Sequence, residues 1–534
     1  MNPRPSSRLS SNRRLILCTT FLMPALSWAA DWNTTTGLFS DPNSWNPSGV
    51  PVAPTDANIL NGGTAQIVDG DTFGVGVFNV GGQAGVGTVT QSGGSITATQ
   101  VIIGGSDVNG SSGVGTYTMT GGSLTGSGAS REMWIGSRGG TGTVNMSGSA
   151  AISNIDAWLV IGRDTGGTAN VNMSGSSSIS QIGGGNLAIG VNTGTTSTVT
   201  MGGTSSLSTS NELRVGFIGG AGTTGVLNMN DSSTATSTGN LWVGLQSAGQ
   251  MTLSNNASAT GAIVVVGGDG GGNGALTVND NATLTANNDL LVSWNGANGV
   301  YTQNGGTVVT NPFAGIDNTG ASVTLNGGNG TNAIVNLNGG TISATGFNKA
   351  SNSATLNLNG AVIKITGNTN TGSYLNGFAN NEVNVQAGGA KFDTNGNDIV
   401  IVQDLAGAGG FVKQGTGSLL LVGNTNYAGD TRVEGGALSF SFASINDSSS
   451  VYISTGGILD LSTGGLTDSI SILYFNGVAQ AAGVWGAIGS GAQFQSSFIT
   501  GDGFLSVASV PEPGTVGLLV LGGLGFFLAR RGKY

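Results

Sequence analysis

Apolar and polar residues alternate in short runs through most of the chain, and between Thr88 and Leu358 the alternation repeats. A segment resembling TVNMSG opens at Thr88, Thr116, Thr143, Asn170, Thr198, Val226, Gln250, Ala275, Val300, Ile334 and Thr355. Its successive spacings are 28, 27, 27, 28, 28, 24, 25, 25, 34 and 21 residues. Self-similarity at a period of about 20–50 residues marks a solenoid, in which each unit stacks on its neighbours.

Aligned on these openings, the second position reads Val89, Tyr117, Val144, Val171, Val199, Leu227, Met251, Leu276, Tyr301, Val335, Leu356. The fourth reads Gln91, Met119, Met146, Met173, Met201, Met229, Leu253, Val278, Gln303, Leu337, Leu358. Thr or Asn lies between them in every copy. Apolar, polar, apolar is the period of two of a half-buried strand, so the Val and Met columns should face inward and the Thr/Asn column outward. A second short strand follows a GG, SG or ND corner, with Ile96, Leu124, Ile152, Ile179, Leu207, Leu284, Val308 and Ile342 inward. A third ends in Gly, as in VIIG (101–104), MWIG (133–136) and LWVG (241–244). Three strands and three corners make one coil, and the expected fold is all-β: a parallel β-helix solenoid with rungs of about 26 residues.

Composition fits that reading. The 98 glycines among 534 residues allow tight corners. Charged residues are only 8% of the chain, and stacked like charges on neighbouring rungs would repel. Asn and Thr supply polarity instead, and Asn side chains can hydrogen-bond along a ladder.

The ends carry addresses. Arg4, Arg8, Arg13 and Arg14, the apolar run from Leu15 to Leu26, and Ser27-Trp28-Ala29 read as a secretory signal over 1–29. Its removal takes away Cys18, the one cysteine, so disulfides and cysteine-based sites are excluded from the mature chain. Residues 30–87, with Trp32, Trp45 and a cluster of prolines, read as a cap and first coils. The main array spans 88–365, further coils 366–440, and a C-terminal β region 441–509.

Within 407–440, Lys413, Gly415, Gly417, Leu419, Leu421, Gly423, Asn426, Tyr427, Gly429, Thr431, Val433, Gly436 and Leu438 follow one motif. This stretch resembles the autotransporter-associated β-strand repeat, which implies a passenger-type β-helical surface protein. Residues 510–534 hold Pro511, Glu512 and Pro513, an apolar run from Val516 to Ala529, then Arg530 and Arg531. This order resembles the PEP-CTERM sorting signal. The apolar run is short for a stable span, which needs about 20 residues, and Arg530 and Arg531 would hold its end on the cytoplasmic side. The resemblance implies transient inner-membrane insertion, processing near Pro511–Pro513 by an exosortase-type enzyme, and export to the cell surface or extracellular matrix.

Candidate chemistry is sparse. Signal and tail hold seven of the 16 basic residues, which leaves nine basic and 25 acidic residues between Ala30 and Val510, a net charge of −16. An acidic body argues against nucleic-acid partners. With no His in the chain, Ser-His-Asp triads and His metal sites are excluded. Arg163-Asp164, Asp269, Asp280 and Asp289 are the remaining catalytic candidates, but they fall singly at corners, where Asp makes turn hydrogen bonds. GGDGGGNG (267–274) and NGND (395–398) are similar to Ca²⁺-binding glycine-rich segments without repeating in register; no cofactor is expected, with Ca²⁺ the one ion left open.

One outward row stands out. Two positions before the third-strand Gly lie Ile102, Trp134, Val160, Ala188, Arg214, Trp242 and Val265, and Trp158 shares their parity. An apolar and aromatic stripe on one face marks an interaction surface, and Trp134, Trp158, Arg214 and Trp242 are the expected glycan-binding residues unless loops cover them. The expected function is an exported structural or adhesive rod without enzymatic activity, with exopolysaccharide or cell-envelope glycan as the partner. The alternative is a polysaccharide-binding or polysaccharide-degrading β-helix.

Overall fold

The computed structural model describes residues 29–106, 112–219, 222–311, 322–367, 372–462, 465 and 467–508. Residues 1–28, most of the expected signal segment 1–29, and residues 509–534 lie outside them. The chain is an all-β, right-through stack of parallel strands with no α-helix among the described residues. Residues spaced one period apart pair side by side. Thr141–Met146 lies between Val114–Met119 and Thr168–Met173, with Tyr117, Val144 and Val171 in one row and Met119, Met146 and Met173 in another. Parallel pairing follows because every coil traverses the same path in the same direction, as in βαβ crossovers but with a corner replacing the helix.

The first-strand sheet has 16 strands rather than the eleven of the sequence ladder. Thr36–Leu38 and Asn61–Ile67 precede the ladder, and Val383–Val385, Leu405–Gly407 and Thr425–Tyr427 extend it. At about 4.8 Å per strand this sheet is about 70 Å long. Its two inward columns are fully buried, and the Thr/Asn column between them is partly exposed. Outside, Asn172 donates to Asn145 at 2.9 Å and Asn357 to Asn336 at 2.8 Å. At the following corner Asn304, Asn338 and Asn359 each donate to the Asn one coil back, at 2.9, 2.9 and 3.1 Å. These ladders tie the coils together without placing charge on charge.

Gln91 and Gln303 interrupt the fourth, otherwise apolar column, and each is buried. Their partners are inward tyrosines. The Tyr117 hydroxyl donates to the Gln91 carbonyl oxygen from the next coil, and the Tyr301 hydroxyl donates to Gln303 at 3.2 Å. Gln303 also donates to the Thr341 carbonyl at 3.0 Å. A buried amide is tolerated because its polar atoms are satisfied.

An antiparallel pair lies near each end of the described chain. At the start, Ala30–Trp32 pairs antiparallel with Trp45–Asn46, and Trp32 meets Trp45 edge-on at 5.0 Å. Each tryptophan is 2% exposed, so both belong to the core and neither presents a ring to a ligand. At the other end Gly483–Ala487 pairs antiparallel with Phe504–Val507, and Trp485 packs on Phe475 and Phe494.

Past Ala390 the coils shorten. Ala390, Phe411, Thr431 and Val451 align in successive strands, 20 or 21 residues apart. The stretch 407–440 continues the stack here, with Leu419, Leu421, Tyr427, Val433 and Leu438 buried inward. Lys413 is also fully buried, in an inward row between Phe392 and Val433. Its ammonium donates to the carbonyls of Gln414, Gly415 and Gly435 at 3.0, 2.9 and 2.9 Å.

Candidate functional site: the tryptophan and arginine face

The outward row forms a single in-register column. Ile102 pairs beside Trp134, then Val160, Ala188, Arg214, Trp242 and Val265 follow on successive coils. None of these residues belongs to the main core inside the coils. The stripe is not bare, however, and its expected exposure is corrected. Trp134 is 8% exposed, Ile102 2% and Val160 and Ala188 0%. Trp158, Arg214 and Trp242 are partly buried. With Val191, Phe217 and Leu245 they form a second apolar cluster on the outside of the coil wall.

The third-strand glycine explains the cover. Gly136, Gly190, Gly216 and Gly244 have φ of 68°, 70°, 74° and 81°, in the left-handed region. A Cβ at Gly136 would lie 2.0 Å from the Thr168 carbonyl oxygen, so only Gly fits there. The left-handed step turns the chain so that the residue after Gly points to the same side as the residue two before it. Val191, Phe217 and Leu245 therefore fold over Ala188, Arg214 and Trp242.

Charged groups fill the remaining space. The Arg138 and Arg163 guanidiniums lie 5.3 and 5.9 Å from the centre of the Trp134 ring. The Trp134 indole N–H donates to Glu132 at 2.8 Å, and Arg163 pairs with the same carboxylate oxygen at 2.8 Å. Arg138 pairs with Asp164 at 3.1 Å. On the next coils Arg214 sits 5.0 Å over Trp158 and 4.2 Å over Phe217 and pairs with Glu212, while Trp158 and Phe217 stack at 5.7 Å. Trp242 lies against the bare backbone of Gly268, where a Cβ would come within 2.7 Å of its ring. The ring faces that would stack on a sugar are thus occupied by guanidinium, Phe or backbone. Removing Trp134 should open this cluster. Trp134→Ala is expected to lower stability by about 2 kcal/mol through lost apolar burial, read as a lower urea midpoint at unchanged slope.

The carboxylate candidates separate in the same way. Asp164, Asp269 and Asp280 have φ of 58°, 52° and 52° at corners. Asp164 accepts from Asn192 at 2.7 Å, Asp269 from Asn295 at 2.8 Å, and Asp280 from the Asn255 amide at 2.8 Å. Asp289 is 2% exposed. Asp269, Asp280 and Asp289 fall at separate corners of one coil and Asp164 on another, and the hydrogen bonds that Asp164, Asp269 and Asp280 make are those of turn residues. Among the described residues no three His, Cys, Asp or Glu side chains gather to hold a metal ion. No described helix is long and apolar enough to cross a membrane, and the apolar run from Val516 to Ala529 lies outside the described residues.

The sequence row contained the tryptophans but not their cover. The missed residues are Phe217, Leu245 and Arg138, and Arg163, a catalytic candidate by sequence, instead pairs with Glu132 beside the Trp134 ring. Their signal was present as an apolar or basic residue placed one or two positions after the third-strand Gly.

No curated protein and no solved structure matches this chain. One family does: Pro511, Glu512, Pro513, Arg530 and Arg531 all fall within residues 509–531, which match the PEP-CTERM protein-sorting motif, so the chain carries the sorting motif of exported proteins processed by an exosortase.

Proposed function

We propose that this protein is a non-catalytic rod, displayed at the cell surface or in the extracellular matrix, with a structural and adhesive role. The observation that carries the reading is one uninterrupted first-strand sheet of 16 parallel strands running along the stack. Such a body is stiff and presents long lateral faces at low charge density. The resemblance of 407–440 to the autotransporter-associated repeat supports a surface setting. The absence of His from the sequence and the single, corner-bound Asp residues support a role without catalysis.

The reading is tested by deleting residues 511–534. In a host with an active exosortase the full chain should fractionate with the cell envelope and matrix, and the truncated chain should appear soluble in the medium or periplasm. Envelope retention of the truncated chain to the same extent would overturn sorting through this segment.

A further inference from the structure

The shortened coils build a second outward face, far along the chain from the tryptophans. Val362, Lys391, Val412, Arg432, Tyr452 and Tyr474 occupy one outward column on successive coils. All six are partly exposed. Val412 is thus a short apolar floor between two long cationic side chains. Beside it Gln414 donates to Glu434 at 2.9 Å, which forms one polar flank. Asp430 forms the other; it accepts from the Ser450 amide at 2.9 Å and lies 3.7 Å from Arg432. The Arg432 guanidinium is itself held flat, 3.8 Å over the Tyr452 ring, and Tyr452 stacks on Tyr474 at 4.3 Å. Val362, Lys391, Val412, Gln414, Asp430, Arg432 and Glu434 line an open groove of about 470 Å³ together with Gly388, Gly389 and Gly410. Sites for small molecules commonly measure about 300–1,000 Å³.

The charges on this face balance, as they do on the tryptophan face. Three of the nine basic residues between Ala30 and Val510 stand here, Lys364, Lys391 and Arg432. Asp393, Asp430 and Glu434 offset them, so the face is balanced on a body of net charge −16. Among the described residues Lys364 and Lys391 form no ion pair. An apolar floor ringed by an ammonium, a guanidinium, an amide and carboxylates matches a ligand that is apolar on one face and rich in hydroxyls around its edge. A pyranose ring has that form: C–H groups on its face, and hydroxyls that both donate and accept.

We propose that this groove binds a neutral hexopyranose oligomer lying along the rod, with a sugar ring on Val412 and its hydroxyls on Lys391, Gln414, Asp430, Arg432 and Glu434. The balanced charge favours a neutral chain over a polyanion, which the acidic body would repel. This site deepens the adhesive reading and rests on it for its biological setting only.

The test is calorimetric titration of the full-length chain, purified in mild detergent, with cellohexaose, maltohexaose and mannohexaose, and with hexagalacturonate as the acidic comparison. At least one neutral oligomer should bind, and more tightly than the acidic one. Val412→Glu, which fills the floor, should weaken it at least tenfold. Gln414→Ala, which leaves the floor intact, should weaken it severalfold and decides the matter where the first variant does not fold. Melting curves serve as the folding control. Absence of binding to all three neutral oligomers, tighter binding of the acidic one, or wild-type affinity in folded variants would overturn the proposal. Mis-sorting of the truncated chain would not change this titration, so the two readings fail separately.

Discussion

Met146→Asp should be among the most damaging single substitutions in the array, and Asn145→Asp, one residue away, among the mildest. Met146 is 2% exposed and sits in an inward row between Met119 and Met173. A carboxylate there has thioether and aliphatic neighbours and no cation, so it must either ionise unpaired or fold protonated without a partner. Losses of about 4 kcal/mol or more belong to this class of change. Because each coil is stabilised by the ones above and below, the damage reaches both neighbours. Asn145 faces out and accepts from Asn172 at 2.9 Å, a bond that a carboxylate oxygen also accepts. Its replacement should shift stability by no more than about 0.5 kcal/mol. Urea unfolding of the two variants checks this, and equal midpoint shifts would show the inward and outward faces to be misassigned.

The second large effect is expected at Lys413. Its side chain is fully buried, and its ammonium satisfies three carbonyls that line the corner of a short coil. Lys413→Met keeps the stem but leaves those part-buried carbonyls without their donor, and a loss of about 3 kcal/mol or more follows, at about 1–3 kcal/mol per unsatisfied group. Lys391→Met, on the outer face, should change stability little.

The same lysine gives a pH dependence of definite sign. Burial pushes its ammonium down from the ordinary lysine value of 10.5 to about 8, against the opposing attraction of Asp393 and Asp398. Between those two values the unfolded chain holds a proton that the folded chain has released. Stability must therefore rise with pH across that window. The gap between wild type and Lys413→Met should widen from pH 8 to pH 10.5 by up to about 3 kcal/mol, at 1.4 kcal/mol per unit. A gap that stays flat or narrows over this range would place the ammonium at its ordinary value.

Some of this protein can be read from the order of its residues alone. The inward columns through Val144 and Met146, the outward Thr/Asn column between them, and the left-turning glycines at 136 and 244 follow from parity and period. Both are local properties of an extended chain, since successive side chains of a strand must point to opposite faces. The sorting segment is equally legible, because its Pro511-Glu512-Pro513, apolar run and Arg530-Arg531 act by order and distance, without a fold.

What the chain order leaves open is the fate of side chains that point outward. Parity placed Trp134 and Trp242 outside the coil wall. Whether they meet solvent depends on where a left-handed glycine sends the next residue and on which arginine lies one coil away. Gln91 and Gln303 looked like breaks in an apolar column, and only the stacking of coils brings the Tyr117 hydroxyl to Gln91 and the Thr341 carbonyl to Gln303. Lys413 matched a motif, but its burial is decided by the coils shortening to about 20 residues, which turns carbonyls of two neighbouring coils onto one ammonium. The groove around Val412 has the same origin: its lining comes from four coils, and Val362, Lys391, Val412 and Arg432 are set side by side only by the register of the stack.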